Sequence, residues 1–395
     1  MNQTGEGEKK HMVTTALLVI IYLSFISLGL PDSVLGSAWP LMSGSLSAPL
    51  WSAGIVQMTV SFCTIVSSLN SARLIRRFGT GKLTALSVLL TALSLLGFSF
   101  AKHYVFLIAL AIPLGLGAGA VDAALNNYVA LHCQPRHMSW LHCFWGVGTI
   151  MGPMILSACL NAGASWRAGY WVIGLLQCLL CAVLLATLPL WRREEAREEE
   201  KARVLSVPQV LALPGAKAGM LTFLCYCAVE STMILWAPTF MVEARGIAED
   251  TAASFGALFC IGITAGRAAS GFMTLRFSPK QMVRLGQAVS AAGCLMLFVP
   301  VNAVMLAGVV VCGLGCAPVY PNIIQDTPVN YGAENSQAAI GVQMAAAYVG
   351  STFVPTLFGW LASAVGYGAL PAFALAVTGV QAAMFAMQKR AVERR

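Results

Sequence analysis

Four ionisable side chains, Asp32, Asp122, Glu230 and Arg267, lie deep inside stretches of sequence that are otherwise apolar. Holding such a group at membrane depth costs at least ~2.5–3.5 kcal/mol, so it normally faces a cavity or a partner charge and has a task there. The residue types suggest the task. A carboxyl group that is sheltered from bulk water for part of the time can bind and release a proton. Together with amides it can also hold the hydroxyls of a polar solute. Gln57, Asn126, His142, Tyr226, Trp236, Asn322, Gln343 and Tyr348 likewise sit well inside apolar stretches. Acids and amides would grip hydroxyls, aromatic faces would stack on the C–H side of a ring, and a cavity of ~300–1,000 Å³ would suffice. Asn126 follows Asp122 by one helical turn and therefore shares its face. Plainer roles compete. A buried amide such as Gln57 can tie helices together for ~0.6 kcal/mol. Trp236, toward the outer end of its stretch, can belong to an aromatic belt. Glu230 and Arg267 can form an ion pair between neighbouring helices.

The elements that must position these groups follow from composition. With 58% apolar and 10% charged residues and a mean hydropathy of +0.75, the chain is an integral membrane protein rather than a soluble globule. Apolar stretches of the ~20 residues that cross a ~30 Å hydrocarbon core recur along it. There are twelve, with approximate cores at 12–36, 51–72, 83–101, 104–131, 138–160, 168–190, 217–241, 251–275, 281–300, 302–325, 336–363 and 367–388. The first lacks a small-x-small cleavage pattern and is read as a retained helix. With the N-terminus cytoplasmic, every lysine and arginine except Lys102, Arg167, Arg245 and Arg267 falls on the cytoplasmic side. That set includes Lys9, Lys10, Arg73, Arg76, Arg77, Lys82, Arg136, Arg192, Arg193, Arg197, Arg276, Lys280, Arg284, Lys389, Arg390, Arg394 and Arg395. Both termini are then cytoplasmic. The net charge of +8 reports topology and contact with anionic lipid, and gives no support for nucleic acid as a partner.

The chain divides at the charged run Trp191–Arg203, read as a solvated connector, into residues 1–190, a cytoplasmic linker 191–216, and residues 217–395. The two sets of six stretches are alike. A shift of 198 residues lays Asp32 on Glu230, Pro40 on Pro238, Gly115-Leu116-Gly117 on Gly313-Leu314-Gly315, and Asp122 on Tyr320. Shifts of 199 and 202 align Ser71 with Ser270, Arg77-Phe78 with Arg276-Phe277, Gly148-Thr149 with Gly350-Ser351, and Pro153 with Pro355. The expected fold is therefore all-α, with twelve transmembrane helices in two pseudo-symmetric six-helix halves related by an axis along the membrane normal. The major facilitator superfamily is the standing example of that scheme.

Local motifs agree. Ala72 to Lys82 resembles the superfamily's G-x-L-x-D-R-x-G-R-R/K gating motif, with Ala72 in place of its glycine and Arg76 in place of its acid, while Arg77 and Gly79 keep their positions. Gly29-Leu30-Pro31-Asp32 with Trp39-Pro40, Gly115-Leu116-Gly117 with Asp122 and Asn126, His142 to Gly148 with Gly152-Pro153, the trio Tyr226, Glu230 and Trp236, and Pro318 to Asn322 resemble the fucose permease family of sugar:proton symporters. The resemblance implies that Asp32 and Asp122 share proton translocation and substrate binding, and that Glu230 is an addition which ligates hydroxyls or a sodium ion. A gating role is expected for Arg77 and Gly79 of the superfamily motif, for Arg276 as the repeat partner of Arg77, and for Arg267 through a structural or gating ion pair.

The function expected is secondary active transport, with proton-coupled uptake of a monosaccharide or related polyhydroxy solute at a bacterial inner membrane. Asp32, Asp122 and Glu230 would be the coupling groups, with sodium as the alternative ion. A proton-coupled exporter of drugs or metabolites is the second reading. A solute-sensing receptor is a third, disfavoured by the short linker and termini. An enzyme is excluded because there is no nucleophile–base pair. His132, His137 and His142, with Cys133 and Cys143, lack metal-ligand spacing, so no metal or other cofactor is expected. A monomer is the superfamily default.

Overall fold

A computed structural model of the chain describes residues 15–195, 203–248, 252, 255 and 257–394. Lys9, Lys10, Arg197 and Arg395, the side chains of Arg192 and Arg193, and most of the linker's charged run lie outside the described residues. The rest is helical, and each of the twelve apolar stretches is a helix over its described part. The first is bent into α1 (Thr15–Asp32) and α2 (Val34–Ser45). Then come α3 (Ala53–Phe78), α4 (Thr80–Phe100), α5 (Tyr104–His132), α6 (Pro135–Asn161), α7 (Trp166–Ala186), α8 (Leu188–Glu195) and α9 (Val207–Leu211). The second set is α10 (Ala216–Glu243), α11 (Leu258–Met273), α12 (Pro279–Met296), α13 (Asn302–Cys316), α14 (Val319–Tyr331), α15 (Ala333–Val365) and α16 (Leu370–Glu393).

Taking the bent pairs α1–α2 and α13–α14 as single spans, ten helices are long and apolar enough to cross a membrane. Helix α11 is apolar but short of that length, partly because residues before it lie outside the description. Helix α12 falls outside the set because Lys280, Gln281, Arg284 and Gln287 crowd its first turns.

The pairing scheme repeats. In the first set α1 packs on α6, α3 on α5, and α4 on α7; in the second, α10 packs on α15, α11 on α13, and α12 on α16. Glycines make these crossings close. A Cβ built on Gly148 of α6 would overlap the Ile26 carbonyl of α1, and one on Gly350 of α15 would overlap the Leu224 carbonyl of α10. Gly115 meets the Val60 carbonyl as Gly313 meets that of Phe259. Each pair of contacts is related by the offsets read in the sequence. The two sets then meet along α3 with α15 and α6 with α11.

Prolines bend the helices around the interior, and the carbonyls they free are used. Pro31 offers no N–H to the Ser27 carbonyl, which instead accepts the Gln177 amide of α7 at 2.8 Å. Pro153 likewise frees the Thr149 carbonyl, and the Ser33 hydroxyl at the α1–α2 bend donates to it at 2.5 Å. Both bonds brace the bend that carries Asp32. Two differences from expectation arise at the edges. Helix α2 carries the first span to Ser45, well past residue 36. Trp191, expected to open a solvated connector, is buried against Gly81 and the Tyr128 ring, so the first set of helices extends through α8.

Candidate functional site

Where α1, α3, α5 and α6 face α10, α11, α14 and α15, the bends and the close crossings leave a cavity of about 260 Å³. That is just below the ~300–1,000 Å³ of drug-sized sites and suits a small solute. Asp32, Gln57, Asp122, His142, Glu230, Arg267 and Tyr348 all line it. A side pocket of about 40 Å³ branches from it within the first set, between Asp32, Gln57, Thr91, Tyr170 and Gln177.

The ionisable groups form two chains of contacts. In one, Trp145 Nε1–H donates to Asp32 Oδ2 at 2.8 Å, the Arg267 guanidinium lies 5.2 Å from the centre of the same indole, and Arg267 Nη2–H donates to Glu230 Oε1 at 3.1 Å. In the other, the Tyr348 hydroxyl donates to Asp122 Oδ2 at 3.0 Å and the Asn126 amide donates to Oδ1 at 2.8 Å. His142 Nε2 stands 3.1 Å from Asn126 Oδ1. That oxygen only accepts, which places the imidazole proton on Nε2. The His142 ring in turn meets Tyr320 edge-on at 4.5 Å. Each chain crosses from the first set of helices to the second. The acids differ in access to water: Asp32 is exposed to the cavity, Glu230 is half-buried and Asp122 is buried.

Several expected residues stand behind the wall. Asn126 is fully buried and reaches the cavity only through Asp122 and His142. Tyr226 is buried beside Phe223 and Tyr320. Asn322 donates to the Pro318 carbonyl of its own helix at 2.7 Å, and Gln343 accepts from Thr327 at 2.9 Å. Trp236 donates to the Pro355 carbonyl at 2.8 Å and packs on Phe358 and Tyr367. Gln343 and Trp236 tie helices together, Asn322 bonds within its own helix, and none of the three lines the cavity. Conversely, Trp145 and Tyr320 line the cavity but were not singled out as site residues. Signals for both existed. Trp145 lies three residues from His142 on one helix face, and Tyr320 is the repeat partner of Asp122.

At the end carrying the basic loops the cavity is closed by neutral groups. Gln325 of α14 donates to the Ala130 and Cys133 carbonyls, both at 3.3 Å. Ser336 donates to Asn127 Oδ1 at 2.6 Å, and Gln337 donates to Ser71 Oγ at 3.0 Å. Of the gating candidates, Arg77 and Arg276 are exposed and have no ion pair among the described residues. Gly79 has φ +77° where α3 ends and α4 begins, a turn that a residue with a Cβ adopts only at a cost. Arg267 lies in the cavity wall, away from that end.

Comparison with known proteins places these features in context. A family profile described as Major Facilitator Superfamily matches residues 21–268 and 218–395. Bypass of stop codon protein 6 of Saccharomyces cerevisiae is 22% identical over 400 residues, covering 90% of this chain and 78% of that protein. Among solved structures, the major facilitator transporter FucP in its outward conformation superposes with a TM-score of 0.79 at 15% identity, covering 95% of this chain and 98% of FucP. The proton:xylose symporter XylE superposes with a TM-score of 0.78 at 13% identity, covering 95% of each chain.

Proposed function

Since the chain belongs to the major facilitator superfamily, a family of membrane transporters and not of enzymes, we propose that it is a proton-coupled symporter of a polyhydroxy solute. The observation that carries this reading is the pairing of three carboxylates with sugar-suited aromatic and amide groups around one small cavity. The fold shared with FucP and XylE supports it. In this reading the twelve helices form two six-helix halves that rock about the cavity, with both termini cytoplasmic in a bacterial inner membrane. The end closed by Gln325, Ser336 and Gln337 is then the cytoplasmic one, and solute enters from outside.

The acids divide the work by depth. Asp32, at the wet level, meets protons and hydroxyls first. Asp122 lies deeper and holds Tyr348 across the two halves. As a carboxylate it accepts both Tyr348 and Asn126; once protonated, one oxygen becomes a donor and loses its charge, so the bond it accepts is weakened or turned. Proton loading thereby reaches the contact between the halves. Gln57, Trp145 and Tyr320 offer an amide and two ring faces for the solute.

The test is uptake into liposomes that hold the purified protein and a pH-sensitive dye. Neutral monosaccharides, polyols and sugar acids are added under an inward proton gradient, with and without sodium. Lumen acidification that depends on one of these solutes is the expected result; no movement of any of them, at any pH or sodium level, sinks the reading. Trp145→Phe keeps a ring beneath Arg267 but loses the bond to Asp32. A hydrogen bond to a charged group is worth ~1.5–3 kcal/mol, so the half-saturating solute concentration is expected to rise about tenfold or more. An unchanged value would remove Trp145 from the site.

A further inference from the structure

We propose that Arg267 is the docking point for a carboxylate, and that the solute is a polyhydroxy acid, such as a sugar acid, rather than a neutral sugar. This rests on the reading of the chain as a proton-coupled carrier of polyhydroxy solutes and narrows its substrate class.

The argument begins with unspent donors. A guanidinium carries five N–H groups. Arg267 is 3% exposed, and its Nη2 donates to a single oxygen of Glu230. Its Nε–H is buried without a partner. The hydroxyl oxygen of Tyr226 lies against the guanidinium as a further contact, but the buried Tyr226 O–H has no acceptor of its own. A small rotation would let the Tyr226 oxygen accept Nε–H, but its own O–H would then remain a donor without an acceptor. Two donors without acceptors thus lie together at Arg267, one in the cavity wall and one just behind it, and the first is positively charged. The missing group is therefore an anionic acceptor. A carboxylate fits the planar fork of a guanidinium, whereas the hydroxyls of a neutral sugar do not match its charge.

The ion pair also states how such an anion is admitted. The groups facing Glu230 and Arg267 from the surrounding helices are Asp32, Asp122, His142, Tyr226 and Tyr320, with the thiols of Cys143, Cys227, Cys260 and Cys316. None of these is a lysine or a second arginine, so among them Arg267 carries the one permanent positive charge. An anion can take Arg267 only if Glu230 gives it up. A proton that binds the Glu230 carboxylate releases its hold on Nη2, and a solute carboxylate oxygen takes the vacated N–H. One proton and one negative charge enter together, so the net charge of the cavity is the same before and after. Coupling then follows from charge balance at a single ion pair.

Matched pairs of probes isolate the carboxylate. D-glucuronate and D-galacturonate are compared with D-glucose and D-galactose, which share their rings and lack the acid, in the dye-loaded liposomes. The uronates are expected to drive lumen acidification at least tenfold faster than the matched hexoses. Arg267→Gln is expected to abolish that preference, and Arg267→Lys, which keeps the charge but loses the fork, to retain part of it. Glu230→Gln cannot take a proton and leaves Arg267 unopposed, so D-glucuronate should stabilise this variant against heat at concentrations at least tenfold lower than for the parent protein. That measurement serves even if the Arg267 variants do not fold. If hexoses move as fast as uronates, or if Glu230→Gln gains nothing for D-glucuronate, the carboxylate proposal falls while sugar transport stands. If neither class moves, the symport reading itself falls, and this inference with it.

Discussion

Asp122→Asn is expected to lower proton-driven accumulation of solute by at least a hundredfold while leaving exchange of solute between the two faces measurable. The reason is geometric. Asp122 is the one acid that is buried in the cavity wall and holds a residue of the opposite set of helices, through Tyr348 Oη at 3.0 Å. Asparagine nearly matches its volume but cannot gain or lose the proton. It also brings an NH2 group against either the Tyr348 hydroxyl or the Asn126 amide, both of which now donate to the carboxylate. The variant can therefore close around solute, but the state of its cross-half contact no longer depends on the proton. Gradient-driven uptake and counterflow exchange, measured side by side in liposomes, separate the two. Accumulation at the parental rate would show that Asp122 has no part in coupling. Asp32→Asn should do less damage, because its amide oxygen can still accept the Trp145 N–H.

The second large effect is one of packing. Gly148→Val places a branched side chain where even a Cβ would overlap the Ile26 carbonyl, with the Gly29 Cα at 3.0 Å beside it. Backbone cannot yield there as the end of a flexible side chain would. Overpacking a filled core costs about 1–3 kcal/mol, and here α1 and α6 must separate. They carry Asp32 and Trp145, so the site is spoiled along with the fold. The expected outcome is a melting temperature lower by at least several degrees in detergent, together with loss of transport. Gly350→Val should do the same at the equivalent crossing, where the Leu224 carbonyl approaches. A variant that melts and transports like the parent would mean that these crossings can open at little cost.

The repeat was the most legible part of the fold. The offsets that align Gly148 with Gly350 and Gly115 with Gly313 reappear as equivalent contacts, because a glycine facing a carbonyl is a requirement of sequence and geometry at once. Element ends were less legible. The first span runs on to Ser45 as a second helix, past a bend whose proline-freed carbonyl finds Gln177, a partner 150 residues away. The site was legible where charge marked it. Asp32, Asp122, Glu230 and Arg267 meet at one cavity, since each is costly elsewhere in a membrane. Neutral polar residues carried no such mark. Asn322, Gln343 and Trp236 are as deep in sequence as Tyr348, yet their side chains turn to other helices or to their own. Repeat equivalence also hid an asymmetry. Asp32 and Glu230 occupy matching places, but one is capped by an indole and the other by a guanidinium.

The closed end has one more consequence. Gln325, Ser336 and Gln337 bind backbone carbonyls and neutral side chains, in a chain where Arg76 stands at the acidic position of the gating motif. Dissolved ions screen charges over about 10 Å at 0.1 M, but they have little hold on an amide that donates to a carbonyl. Sealing on that side is thus insulated from the ionic strength of the compartment it faces. The ionic contact beside Gln325, Lys280 with Asp326 at 3.9 Å, lies within the second set of helices and does not cross the seal.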